Sequence, residues 1–209
     1  VPVERLPEGH VRPVTTAWWG PRKHFVHYYV RGGALINCVC VVEKEGWEVE
    51  SWTVRGDLGE LRADFSGWSG DLQVLLDGIQ TEHLYKWALF DRPPMPRWSR
   101  GHVTLLGDAC HPTLPFMAQG AAMAIEDGAV LAGCVASMPT ADALLRYEAL
   151  RRERTARVQT GSRRNARVFH LSGPAAWARN RAVRLAGDRT MQHLYSYDAL
   201  EAATMGEPN

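Results

Sequence analysis

Two short stretches hold residues able to do chemistry. In "GHVTLLGDACHP", Asp108, Cys110 and His111 follow one another closely after an apolar run. In "KHFVHYYV", His24, His27, Tyr28 and Tyr29 alternate with apolar residues. Asp108 can accept hydrogen bonds from sugar or polyol hydroxyls. A histidine can take a proton from an acidic hydroxyl, and a tyrosine can bond the anion left behind. On a strand, His24 and Tyr28 share one face, whereas His27 and Tyr29 share the other. A zinc site built from His24, His27 and His111 is a further reading, but it needs two histidines on opposite faces of one strand. Ordinary sheet packing is the plain alternative for the first two.

The elements that would position these residues follow from pattern. "VRPVTTAWWG", "HFVHYYVRGG" and "LINCVCVVE" are β-branched and aromatic runs. They read as consecutive antiparallel strands, with turns near Gly20-Pro21 and Gly32-Gly33. "ESWTVRG" extends that pattern. Short helices are expected over 57–65, with Asp57 as N-cap, and over 70–76. "HLYKWALFDRPP" reads as a further strand, and "GHVTLLGD" as a buried one with Val103, Leu105 and Leu106 inward. Helices are expected over 120–136, from a Thr140 cap into the 160s, and over 174–186. A β-rich first half and a helical second half, joined by one strand-loop-helix unit, predict an α+β or α/β chain. The expected divisions are 1–91, a partial β-rich domain; 92–138, the strand-loop-helix unit; and 139–209, the carboxyl-terminal helices.

The join between strand and helix has its own chemical logic. Gly107-Asp108 sits at the carboxyl end of a strand, where open α/β sheets bind ligands. After a loop stiffened by Pro112 and Pro115, the helix opens with Gln119-Gly120-Ala121-Ala122. Its first N–H groups and positive dipole end are therefore open to an electron-rich oxygen. Small side chains allow a flat ligand to approach the backbone. A flavin meets both requirements, with a ribityl chain for Asp108 and a pyrimidine oxygen for the helix start.

"GDACHPTLPFMAQGAAMAIEDG" resembles the second flavin motif of the single-component FAD-dependent aromatic hydroxylases, in their salicylate, 3-hydroxybenzoate and 6-hydroxynicotinate branch. "HFVHYYVRGGALIN", "ESWT", "KWALFDRPP" and "LYSYDA" agree with it. The resemblance implies that Asp108 bonds the ribityl hydroxyls, that Gly107 permits close approach and that Pro115 lies near the flavin ring. The backbone at Gly120, Ala121 and Ala122 would hold the pyrimidine edge. His24 and Tyr28 would be catalytic, and His111 and Asp127 structural. Met117 and Ala122 stand where many distant relatives have Gly and Asn. The family's Gly-x-Gly-x-x-Gly pyrophosphate turn does not occur in this sequence. The resemblance is thus to the carboxyl half, an antiparallel substrate-domain sheet followed by an incomplete Rossmann-like FAD domain. It implies FAD, NADH or NADPH as reductant, O2, an aromatic acid substrate and the enzyme's amino half as partner. The alternative is a non-catalytic remnant or binding module of the same fold.

Composition narrows the rest. The net charge of the 209 residues is +1, which favours neither nucleic acid nor membrane. No run of 18 apolar residues occurs, so no membrane span is expected. Four cysteines, none in a Cys-x-x-Cys pair, read as reduced thiols of a cytoplasmic protein. Residues 146–189 carry twelve arginines against three acids. This reads as a solvated basic helical face, since no aromatic residue interleaves with the arginines between Arg151 and Arg167 as a single-strand nucleic-acid platform requires. An exposed apolar edge over Val103–Leu106 would favour self-association, so a homo-oligomer is possible.

Overall fold

A computed structural model describes residues 1–44, 46, 51, 53–186 and 195–204. The chain folds as two compact units, one of residues 1–88 and 169–176, the other of 89–168 and 177–209.

In the first unit, β1 (Thr16–Gly20), β2 (Lys23–Val30) and β3 (Leu35–Val42) form one antiparallel sheet in the order β1-β2-β3. The expected turns are present. The β1–β2 turn places Arg22 at φ 59°, in the left-handed region, a conformation costing a non-glycine residue about 1 kcal/mol. Register sets two faces. Phe25 pairs with Cys40, His27 with Cys38 and Tyr29 with Ile36; this face packs on α1 (Leu58–Asp64) and α2 (Gly70–Asp77). Its core is Val11, Phe25, Ile36, Phe65, Leu72, Leu75 and Leu76, each large side chain contributing about 1.5–3 kcal/mol of burial. The opposite face carries His24 and Tyr28, paired with Val41 and Asn37. Asp57 caps α1 as expected, accepting from the Glu60 amide at 2.6 Å. Of "ESWTVRG", Glu50 and Trp52 lie outside the described residues.

The 83–94 stretch corrects the expectation of a strand. It contributes only an isolated bridge, Arg55 with Tyr85, because no longer partner runs beside it among the described residues.

The second unit is helical: α3 (Gly120–Ser137), α4 (Thr140–Phe169, whose last residue falls in the first unit), most of α5 (Gly173–Ala186) and α6 (Ala199–Thr204). Trp98, Cys110, Val130, Cys134, Ala143 and Tyr147 form its core. Gly133 lets α3 approach α6, since a Cβ there would stand 2.9 Å from that of Ala203. Thr140 is already helical; the Pro139 carbonyl accepts the first helical bond, from Ala143 at 2.9 Å.

The run "GHVTLLGD" also departs from expectation. Only Val103–Thr104 forms a strand, β5, paired with β4 (Ser99–Arg100). Val103 is 68% and Leu106 38% exposed, so the strand is an edge and not a buried core strand. It has no neighbour on its other side among the described residues. By length and composition, α3 could cross a membrane. Its Glu126 and Asp127 are instead neutralised by arginines of α4.

Candidate functional site

The Gly107–Ala109 turn is held on every side but one. Gly107 has φ +61°, and a Cβ there would stand 3.3 Å from that of Ala124; glycine suits both constraints. Its amide donates to Asp127 Oδ2 at 3.1 Å. Its carbonyl accepts from the Cys110 and His111 amides, both at 3.0 Å. The neighbouring Asp108 side chain is left exposed. The contact with Ala124 also places this turn against the first two turns of α3.

What holds the turn is a buried charge network. Asp127 accepts from His111 Nε2 at 2.5 Å and from Arg151 Nε at 2.7 Å. Arg151 also donates to Glu126 at 2.6 Å and to the Met123 carbonyl at 3.3 Å. Arg154 donates two bonds to Glu126. Burial pushes the Asp127 carboxyl up, but hydrogen bonds from His111 and Arg151 outweigh it and hold the group below its ordinary value. His111 and Asp127 therefore lock the loop. Cys110, His111 and Asp127 offer ligand atoms within 4.8 Å of one another, yet the Arg151 guanidinium already occupies Asp127. The Cys110 thiol, pushed up to about 12 by burial and Asp127, donates to the Gly107 carbonyl. These are not the conditions of a metal centre.

The helix start is bare. Gln119 makes no side-chain cap bond and the first turn of α3 carries no acid. Ala121 is exposed, and Gly120 and Ala122 are half-buried. A Cβ at Gly120 would meet only Thr113 at 3.6 Å, an ordinary contact, so packing alone does not demand glycine there. Pro115 opens the exposed side of a short turn, Pro115–Met117. Met117 faces inward, and Gly161 makes room for it, since a Cβ there would lie 2.7 Å from the Met117 sulfur. The exchange of Gly for Met at this position is thus absorbed by the core. An exposed carboxylate beside an uncapped, small-residue helix start fits the ribityl and ring end of a flavin.

His24 lies in the other unit, on one face of β2 with Tyr28, about 13 Å along the strand. His24 is 2% exposed. Its Nδ1 lies 2.7 Å from His170 Nε2, and His170 Nδ1 lies 2.5 Å from Glu43 Oε1. Phe169 stacks on Trp19 and meets the His24 ring edge-on. The Tyr28 hydroxyl accepts from Asn37 at 2.8 Å. Burial, then His170, lowers His24 to about 4, so it is neutral near pH 7. On the opposite face, His27 Nδ1 accepts from Trp18 at 3.3 Å, and Tyr29 donates to the Val11 carbonyl at 2.8 Å.

Sequence reasoning missed Arg151 and His170. Arg151 belongs to a buried stripe on α4, with Tyr147, Thr155, Val158 and Ser162; the helical spacing from Tyr147 was the available signal. His170 is 146 residues from His24, and no local pattern announces it. Part of the arginine run is spent on pairing, as Arg151, Arg154, Arg157 and Arg163 all meet carboxylates.

Residues 79–162 match the family described as "FAD binding domain". The chain is 44% identical over 152 residues to a 6-hydroxynicotinate 3-monooxygenase of Pseudomonas fluorescens, covering 71% of this chain and 39% of that protein. It is 36% identical over 209 residues to the 3-amino-4-hydroxybenzoate 2-monooxygenase PtmB3 of Streptomyces platensis, covering 99% and 52%. Among solved structures, a salicylate hydroxylase substrate complex superposes with a TM-score of 0.80 at 25% identity, covering 96% of this chain and 51% of that one. The chain spans about half the length, or less, of the relatives it matches. In sequence and fold it is similar to FAD-dependent aromatic hydroxylases, with a partial flavin-binding fold of mixed helix and sheet.

Proposed function

We propose that this chain is the carboxyl half of an FAD-dependent monooxygenase that hydroxylates a phenolic or heteroaromatic acid, with NADH or NADPH as reductant and O2 as oxygen source. The observation that carries the reading is the Gly107-Asp108 turn. Asp127 ties down the Gly107 amide and His111, while Asp108 itself stands exposed. Asp108 would hold the ribityl hydroxyls. Gly120, Ala121 and Ala122 would offer backbone N–H groups to the pyrimidine edge, with Pro115 beside the ring. When bound and reduced, FAD supplies the activation of O2 that no side chain can supply. His24, neutral and buried, would take the substrate's hydroxyl proton and make the ring electron-rich; Tyr28 would bond the resulting oxyanion.

The test is turnover by the complete enzyme that includes this chain. NAD(P)H oxidation coupled to a hydroxylated product is expected with acids of the salicylate, 3-hydroxybenzoate or 6-hydroxynicotinate kind. In His24→Asn, hydroxylation should fall about 10²–10⁴-fold while flavin reduction changes far less. Equal loss in both steps would assign His24 a structural role. No hydroxylation of any such acid would leave the non-catalytic binding module as the better account. The four cysteines are free thiols, which suits a cytoplasmic location.

A further inference from the structure

We propose that His170 and Glu43 form a proton relay behind His24, carrying the substrate's hydroxyl proton from His24 to solvent. The inference rests on the reading of His24 as the base. Its geometry is a continuous line of hydrogen bonds, His24 Nδ1 to His170 Nε2 at 2.7 Å and His170 Nδ1 to Glu43 Oε1 at 2.5 Å. It runs from a buried imidazole to a carboxylate whose side chain is 48% exposed.

The carboxylate sets the direction of the whole line. An ionised Glu43 only accepts, so His170 must donate from Nδ1. A neutral His170 then accepts at Nε2, and His24 must donate from Nδ1. His24 is thereby left with its lone pair on Nε2, the form a base requires. Other contacts hold the line in place. The Arg22 amide donates to the His170 carbonyl at 3.4 Å, and the Glu43 amide to the Arg22 carbonyl at 2.9 Å. Arg22 Nε stands 3.6 Å from the second Glu43 oxygen. Phe169, stacked on Trp19 at 4.4 Å between ring centres, anchors the residue before His170.

The proton balance is simple. The hydroxyl O–H bond breaks and a proton joins His24 Nε2. The Nδ1 proton of His24 passes to His170 Nε2, and the Nδ1 proton of His170 passes to Glu43 and on to water. Both rings end neutral with the opposite tautomer, and one proton enters solvent. Passage in reverse reprotonates the product oxyanion and restores both rings. Burial disfavours a charged His24, so handing one proton on as another arrives is the easier course.

Two measurements test the relay. In the 209-residue chain, long-range ¹H–¹⁵N spectra of the imidazoles should show His24 and His170 protonated at Nδ1, with both tautomers shifted in Glu43→Gln. A proton on His24 Nε2 in the unaltered chain overturns the relay whatever the enzyme does. In the complete enzyme, Glu43→Gln and His170→Gln should slow hydroxylation about 10²-fold, with KM within about twofold and an altered solvent isotope effect. Glu43→Asp should recover most of the rate. Glu43 is exposed, so its variants should fold even if those of His170 do not. If His24→Asn is slow but Glu43→Gln is normal in rate and isotope effect, the relay fails and the base assignment stands. If His24→Asn is also normal, both fail.

Discussion

His111–Asp127 and His24–His170–Glu43 are both histidine–carboxylate pairings, yet they are built for opposite ends. Asp127 is fully buried and meets an arginine on its other oxygen. A proton or charge placed there has nowhere to go, and the pair acts as a fastener for Gly107. The His24 line ends on an exposed glutamate. The difference teaches that a histidine beside a carboxylate is not by itself catalytic. What decides its role is whether the carboxylate and its cation are shut away from water, as Asp127 and Arg151 are, or open to it, as Glu43 and Arg22 are.

The largest effect that would sharpen this contrast is expected at Arg151. Arg151→Leu leaves Asp127 and Glu126 buried with a cation removed, and should cost about 3–5 kcal/mol. Chemical denaturation of the 209-residue chain measures it. A loss below about 1 kcal/mol would mean that the fastener is not under load.

The next effect separates the centres by pH. His24 has a folded value of about 4 against about 6.5 unfolded, so the unfolded chain binds the proton first as pH falls. Its contribution is complete above pH ~6.5, falls between pH ~6.5 and 4, and is flat below, with a span of about 3 kcal/mol. His27, also lowered by burial and then by His10, adds to the same slope. Asp127 acts lower: its depressed value keeps its contribution whole above pH ~4 and loses it only as pH falls through the folded value. His24→Asn should therefore flatten the curve between pH 6.5 and 4 and leave the acid limb. Denaturation midpoints across pH read this directly, and an unchanged slope would contradict it.

The smallest effect is expected at Glu43. As an exposed partner it should cost the fold less than about 1 kcal/mol when changed to Gln. Thermal unfolding of that variant checks the point, and a larger loss would make Glu43 a structural residue like Asp127.

Much of this was legible in the sequence. The β1–β3 sheet followed from aromatic and β-branched runs broken at Gly20-Pro21 and Gly32-Gly33. The α1 cap followed from Asp57, and the α3 start from its run of small residues. Gly107-Asp108 stood out at the end of an apolar run, and a tight glycine turn with an exposed Asp108 lies there. The 83–94 stretch misled because its apolar residues suit a strand, whereas among the described residues only the short run at Val54–Gly56 pairs with it. Val103 misled for the same reason: its type asks for burial, and its neighbours on the described chain do not supply it. Arg151 was hidden among arginines that look solvated, and only the helical register from Tyr147 tells it apart from Arg152. His170 was beyond reach, since its partners come from β2 and from the end of β3, more than 120 residues away.

The account's central claim is that the turn held by Asp127 presents Asp108 to a flavin. The most direct measurement is FAD affinity of the complete enzyme carrying this chain, by titration of flavin absorbance or heat, for the unaltered protein and for Asp108→Ala. The account predicts a loss of about 1.5–3 kcal/mol, roughly 10- to 150-fold in Kd, with the unfolding midpoint of the flavin-free protein unchanged because the exposed Asp108 side chain supports nothing among the described residues. Unchanged FAD affinity in Asp108→Ala would contradict it.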